Sequence, residues 1–566
     1  MQENYTIRAR IGDGVLAKAD RLFRNDDEGL FIEVLQNSRR AGATLVDVTI
    51  EDIAESASEC HVAVHDNGKG IEDFAKLLVL GESGWEETTQ VREDPAGMGF
   101  YALCLSGVQV ASGYQYSNIL PAAFLGEVDP LVESREEYVA GTRLRFRRAS
   151  SKPALVAALA AATQFYPVEV RLNGESIPRH DFLEGALHRE VIDGIEIGFA
   201  TQFAHDWRPY YSDKNWNFYG ARIHDHFPNI NGILPAGANQ SEPSYLYARF
   251  NVVETGRIKL QLPDRRNVIQ NEFLTEFKKK ARAAAYRCFQ KQSRHVLSFE
   301  DWKEAQKLGI QLPEAVPLLT TWSGLAADGA GEQFFDEDMT VVVPELSRVM
   351  LVGGAVVDVH TLQGALHSGA SLDCVLYRER PGFRGYHWYD ALPRLSDMEV
   401  IIDGMLGAEY LSSRDERPSR IDLSAIIEQE GREDRVLVLP AQIHVDSEQY
   451  NSLNFVAVKN SPWDNDELEG PFPVGDFLIY STFSPSDEGD LWETQMDAYF
   501  DEVEQITNEY FRGPRASLMA LLRREFGRDA SHLAARLNVS QITFTRDPEK
   551  QHKWNVELIG ADAQRI

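Results

Sequence analysis

Glu33 and Asn37 stand four residues apart in FIEVLQNS, a spacing that places both side chains on one face of a helix. A carboxylate there can orient or deprotonate an attacking water, and a carboxamide oxygen is a hard donor suited to Mg²⁺. Taken alone, the pair more often marks an amphipathic helix with two polar residues facing solvent. Three further segments follow in order. Asp66-Asn67-Gly68-Lys69-Gly70-Ile71 comes directly after the alternating run HVAVH. A carboxylate at a strand end can accept a hydrogen bond from an exocyclic amine, and glycines let backbone approach a flat base. The same residues also make a plain turn. Gly97-Met98-Gly99-Phe100 precedes YALCLSG. Glycines before a helix expose N–H groups at its positive end, where phosphates bind. The polar stretch 81–96 ahead of them has the composition of a phosphate lid, or of an ordinary surface loop. Gly141-Thr142 opens TRLRF, where a threonine hydroxyl can bond a base or a water.

The elements that must position these residues read as alternating helices and strands. Residues 29–41 carry apolar side chains at helical spacing, whereas 44–50 and 60–65 alternate and are β-branched. Segments 72–80, 99–107 and 153–164 read as helices, 142–147 as a strand, and YPVEVRLNGESI as a closing strand and turn. This order implies an α/β sandwich. A second α/β unit is expected over about 190–290, ending in the helix NEFLTEFKKKARAAAYRCFQKQ. The predicted boundaries are 1–185 for the first domain, 186–295 for the second, 296–340 for a helical linker and 341–566 for a mixed α/β C-terminal region. In that last region MTVVVPE, RVLVLPA and DFLIYSTF read as strands, 491–511 as a helix, and 412–420 as an exposed loop.

With the four segments in place, the chain resembles the GHKL, or Bergerat-fold, ATPase superfamily, most closely MutL and the large ATP-dependent heat-shock chaperones. FIEVLQNSRRAGATLVDVTI resembles the MutL helix and strand, DNGKGI the family's D-x-G-x-G box, and GMGFYALCLSGVQVAS the G-x-GFYS segment of the chaperones. GTRLRF matches the later G-T strand, and the likeness spans about residues 5–180. The resemblance implies a Bergerat sandwich that binds ATP and Mg²⁺. Glu33 would be the general base and Asn37 the Mg²⁺ ligand. Asp66 would contact the adenine amino group, with Gly68 and Gly70 lining the base. Gly97, Met98, Gly99 and Phe100 would form the phosphate-facing hinge, and Thr142 would join the adenine network. The family often carries an acidic residue three positions after the asparagine; here that position is Arg40.

GRIKLQLPDRRNVIQNEF (256–273) resembles the transducer segment that follows such domains. Aligned two ways, it offers Arg265 or Arg266 as the cation that reaches the γ-phosphate, with Lys259 a weaker candidate. A guanidinium presents a fixed fork of donors to phosphate oxygens, which suits the role. A solvated basic pair beside Asp264 is the plainer reading.

The 566 residues carry 57 basic and 87 acidic side chains, a net charge of −30. Such a surface repels phosphate backbones, so nucleic-acid binding is expected to be weak or to run through a partner. The four cysteines, Cys60, Cys104, Cys288 and Cys374, form no CxxC pair, which fits a reducing cytoplasm better than a disulfide framework or zinc site. His360, His367 and His387 are scattered, without the tight spacing of a metal site. No apolar signal core opens the sequence and no run of about 18 apolar residues interrupts it. The expectation is a cytoplasmic ATPase acting as an ATP-gated homodimer, with a protein partner on its C-terminal region and no membrane contact. Prokaryotic genome maintenance or defence is the setting that analogy suggests. A non-hydrolysing, nucleotide-dependent scaffold is the alternative.

Overall fold

The computed structural model describes residues 26–53, 56–79, 85, 99–204, 214–234, 242–254, 256–261, 267–322, 339–353, 359–367, 369–413, 416–446, 454–459, 474–483, 491–525, 539–546 and 554–560. The chain is of the α/β class and divides into two compact units, Met1–Val316 and Pro317–Ile566.

In the first unit helix α1 spans Asp27–Arg40. It starts where Asp26 caps it, the carboxylate accepting the Gly29 amide at 2.6 Å. Asp27 and Glu28 in its first turn and Arg39 and Arg40 in its last complement the helix dipole. Leu30, Phe31, Val34 and Leu35 form its buried stripe. Strands β1 (Leu45–Ile53), β2 (Ser56–Asp66), β3 (Val108–Ile119), β4 (Val132–Arg148), β5 (Glu169–Leu172) and β6 (Glu175–Ser176) make one sheet in the order β3-β4-β2-β1-β5-β6. Only the β1–β5 pair is parallel. Val46, Val48 and Ile50 on β1 and Cys60, Val62 and Val64 on β2 alternate inward. They meet α1 and helix α2 (Lys152–Thr163), which contributes Leu155, Leu159 and Ala162. Two segments read from sequence as helices are shorter here: Phe74–Leu78 and Gly99–Leu103 are 3₁₀ turns. Past Leu103, Cys104 and Ser106 continue with i→i+3 bonds, and Gly107 with φ +62° ends the run, so one helical turn is all that forms.

The second sheet of this unit runs β10-β9-β12-β8-β7, with β7 His188–Ile192, β8 Ile195–Ala200, β9 Trp216–Phe218, β10 Ala221–Ile223 and β12 Ser244–Val252; β11 (Ile230–Ile233) also pairs with β12. Helix α3 (Glu272–Lys291), capped by Asn271, lays Leu274, Phe277, Ala281, Ala285 and Cys288 onto it. Within the stretch expected as a helical linker, 296–340, a helix is present and packs into a core. Helix α4 (Phe299–Lys307) buries Ala305 in the second core, with Ile310 and Leu312 following it. The strand β13 (Leu318–Thr320) belongs to the other unit, where it pairs with β14 (Thr340–Val342). Apolar residues at 305, 310 and 312 draw 299–312 into the second core rather than leaving it to solvent, while 323–338 lie outside the described residues.

In the second unit β15 (Val349–Val352), β16 (Val375–Arg378), β17 (Arg394–Ile402), β19 (Ile421–Glu428) and β20 (Arg435–Ala441) form a sheet in the order β16-β15-β17-β19-β20, β18 (Met405–Leu406) pairing off β17. The run DFLIYSTF, expected as a strand, is instead helix Val474–Thr482. Val474, Phe477 and Leu478 repeat at helical spacing and pack with Met496 and Val503 of helix Trp492–Arg512. A short apolar run carries both periods, and here the neighbouring helix decides between them. The 412–420 segment is entered by helix Gly407–Ser413. Among the described residues no helix is long and apolar enough to cross a membrane.

Candidate functional site

α1 presents Glu33, Asn37 and Arg40 on one half-buried face, opposite the stripe that anchors the helix in the core. Gly99 lies against that face. A Cβ on Gly99 would stand 2.5 Å from Glu33 Oε2 and 3.6 Å from Asn37 Nδ2, so any larger residue there must displace the end of the Glu33 side chain. Phe100, next in the chain, packs its ring 5.7 Å from that of Phe124, which holds the start of the 3₁₀ turn. Arg40 Nη1 donates to Asn37 Oδ1 at 3.3 Å.

Asp66 ends β2 with only 6 % of its surface exposed. Ser38 Oγ donates to its Oδ2 at 3.1 Å and the Gly68 amide to its Oδ1 at 2.9 Å. Both donors are neutral, and each carboxylate oxygen keeps further acceptor capacity. The loop after Asp66 is pinned on two sides. Asn67 Oδ1 accepts the Thr44 and Leu45 amides at 2.8 and 3.1 Å, and the Lys69 amide donates to Ala41 O at 2.9 Å. On the other side Ser112 Oγ accepts the Ile71 amide at 2.8 Å and donates to Gly141 O at 2.7 Å, with Gly70 packed beside it. Gly141 has φ +71°, and a Cβ there would collide with the Asp66 carbonyl oxygen. Thr142 follows, opposite Asp66 on β2 and opposite Ser112 on β3.

The structure thus brings two sets together: Glu33, Asn37 and Gly99, and Asp66, Gly68, Gly70 and Thr142. α1 joins the two, because Ser38 on the helix bonds Asp66. Gly97, Met98, Arg265 and Arg266 lie outside the described residues. The residues that sequence reasoning missed are Ser38, Ser112 and Gln36. Ser38 lies beside Asn37 in FIEVLQNS, where a serine is ordinary; a lone serine on a strand, as at 112, carries no signal at all.

Gln36 ties the site helix to the second sheet. Its side chain is 3 % exposed, and Nε2 donates to Phe218 O at 3.1 Å and Tyr219 O at 2.7 Å. Arg39 donates to Gln36 Oε1 and stacks its guanidinium 3.8 Å over the Tyr219 ring. Tyr219 and Gly220, both at positive φ, form the two-residue turn between β9 and β10. Tyr166 adds a bond from its hydroxyl to Leu35 O at 2.6 Å, and burial holds that phenol well above its usual pKa.

Among the described residues, no group of three or more His, Cys, Asp or Glu side chains is placed to hold a metal ion. Cys60, Cys104 and Cys288 are buried and Cys374 is half-buried, and none of the four is in a disulfide. No family model matches the chain, and no curated protein matches it. Among solved structures it is similar to one described as the N-terminal domain of a DNA repair protein, at 13% identity and a TM-score of 0.30. That match covers 49% of this chain and 98% of the other, a superposition too loose to bear on any residue of the site.

Proposed function

We propose that this chain binds ATP with Mg²⁺ and hydrolyses it, using the closure and release of the nucleotide site to drive a conformational cycle. The observation that carries the reading is the approach of Gly99 to Glu33 and Asn37, so close that a Cβ there would stand 2.5 Å from the Glu33 carboxylate and displace it. An acid and an amide beside a glycine turn suit the attacking water and the cation that a polyphosphate brings. The second set supports it: a buried carboxylate with neutral donors and spare acceptor sites, beside glycine backbone, suits an adenine amino group.

In this reading Asn37 holds the Mg²⁺ and Glu33 holds and accepts the proton of the attacking water. Asp66 orients the base, with Gly68, Gly70 and Thr142 around it. Gly97, Met98, Gly99 and Phe100 face the phosphates, and Arg265 or Arg266 reaches the γ-phosphate. Bound Mg²⁺ would neutralise phosphate charge. Gln36, fixed to the 218–219 carbonyls, couples the state of α1 to the second sheet. The cycle closes two protomers and engages a protein partner through the C-terminal unit, in the cytoplasm.

Steady-state ATP turnover of wild type, Glu33→Ala and Asp66→Asn tests this, alongside equilibrium ATP binding. Glu33→Ala is expected to cut turnover by about 10²–10⁴-fold with binding kept, and Asp66→Asn to weaken binding. Equal turnover in wild type and Glu33→Ala would favour the non-hydrolysing scaffold, a reading that the Arg40 bond to Asn37 Oδ1 keeps in view.

A further inference from the structure

Arg40 places a permanent positive charge on the oxygen that the nucleotide reading gives to a metal. Its Nη1 bonds Asn37 Oδ1 at 3.3 Å, and Asn37 Nδ2 is the amide atom toward Gly99. Glu33, Asn37 and Arg40 occupy positions i, i+4 and i+7 of α1, all half-buried on one face. Of these three side chains the ionisable ones are one carboxylate and one guanidinium. With an acid at position 40 they would be two carboxylates. The affinity of an oxygen site for a divalent cation rises with the number of carboxylates around it and falls beside a like charge. Attraction for a polyphosphate moves the opposite way, because a guanidinium offers paired donors to phosphate oxygens and cannot shed its proton.

We propose that Arg40 is a phosphate-binding residue that lets this site take ATP without a divalent cation. The guanidinium exchanges its bond to Asn37 Oδ1 for phosphate oxygens when nucleotide enters. Metal-free ATP, rather than only its Mg²⁺ complex, is then a ligand, and the metal's part is confined to the chemical step. The inference rests on the nucleotide reading above and deepens it.

Isothermal titration of the full chain with ATP, in EDTA and in Mg²⁺, tests this without any variant. The expected result is an affinity in EDTA within about tenfold of that in Mg²⁺. Arg40→Asp is expected to lower the EDTA affinity by at least about tenfold and the Mg²⁺ affinity by less, with Arg40→Lys in between. Adenosine, which lacks phosphate, should bind wild type and Arg40→Asp equally; this separates phosphate contact from a structural role for the side chain. Loss of about a hundredfold or more in wild-type affinity on chelation would overturn the inference and leave the nucleotide reading intact. An Arg40→Asp effect equal in both media, or shared by adenosine, would also overturn it. No ATP binding in either medium would sink the nucleotide reading and this inference with it.

Discussion

α1 and α3 are both amphipathic helices laid on a sheet of the first unit, yet they use their polar faces in opposite ways. On α3 the charges are spent on pairing. Lys278 meets Asp225 at 2.7 Å, Lys280 meets Asp193 at 2.7 Å, and Arg282 meets Asp301 at 2.7 Å. Arg287 bonds Glu190, whose carboxyl is held below its usual pKa chiefly by that guanidinium. On α1 the face bearing Glu33, Asn37 and Arg40 looks instead onto the Gly99 turn; the helix is anchored at its start by the Asp27–Arg148 pair and near the site by two buried neutral groups, Gln36 and Ser38. Neutral buried anchors hold a helix without adding charge to the site. A helix whose polar face is given to ion pairs with its neighbours is scaffold; one that sets an acid and an amide beside a glycine turn can meet a ligand.

The comparison breaks first on core packing. Phe277 on α3 is fully buried among Trp216, Phe250 and Phe273, so Phe277→Ala is expected to cost about 3–5 kcal/mol of folding stability, read by urea denaturation. A loss below about 1 kcal/mol would mean that α3 is not the scaffold described. On the α1 side, Gly99→Ala pushes a methyl toward the flexible end of Glu33. Turnover is expected to fall by about ten- to a hundredfold through displacement of that acid. The melting temperature should stay near wild type, and unchanged turnover would detach Gly99 from the site. Gln36→Leu removes two donors and strands the Phe218 and Tyr219 carbonyls, with an expected cost of about 1–3 kcal/mol. Hydrogen exchange should localise that loss to α1 and the 216–223 hairpin; loss spread evenly over the chain would refute the link.

The smallest effect concerns His295, buried beside α3. Burial is the main cause lowering its pKa, partly opposed by its bond to Pro313 O at 2.9 Å. A base with a depressed folded pKa stays neutral in the native state while the unfolded chain takes up a proton below about 6.5. Its contribution is therefore full above that pH and lost as pH falls below it. Wild-type stability should decline from pH 7 to 5, and more shallowly in His295→Gln; parallel profiles would remove His295 from the account.

Much of α1 and the loop after β2 was legible in the sequence, because Glu33 and Asn37 fall on a helical period and DNG after HVAVH marks a strand end. The alternation of Val46, Val48 and Ile50 gave β1 for the same reason. What escaped reading depends on distance along the chain. Gln36 looks like one more polar residue on a polar face, and its partners lie 182 and 183 positions away. Ser112 matters only because β3 happens to pass Gly141 and Ile71. The helix at 474–482 was misread because nine residues carry too few periods to separate a strand from a helix without their neighbour at 492–512.

The long reach of Gln36 also sets an order of events at the ribosome. The strands and helices of the first sheet are complete by residue 176, but the turn that satisfies the Gln36 amide is not made until residue 219. During synthesis α1 therefore waits, its amide hydrated, while some forty further residues emerge. A fragment ended near residue 185 would keep the sheet and lose the clasp on its own central helix.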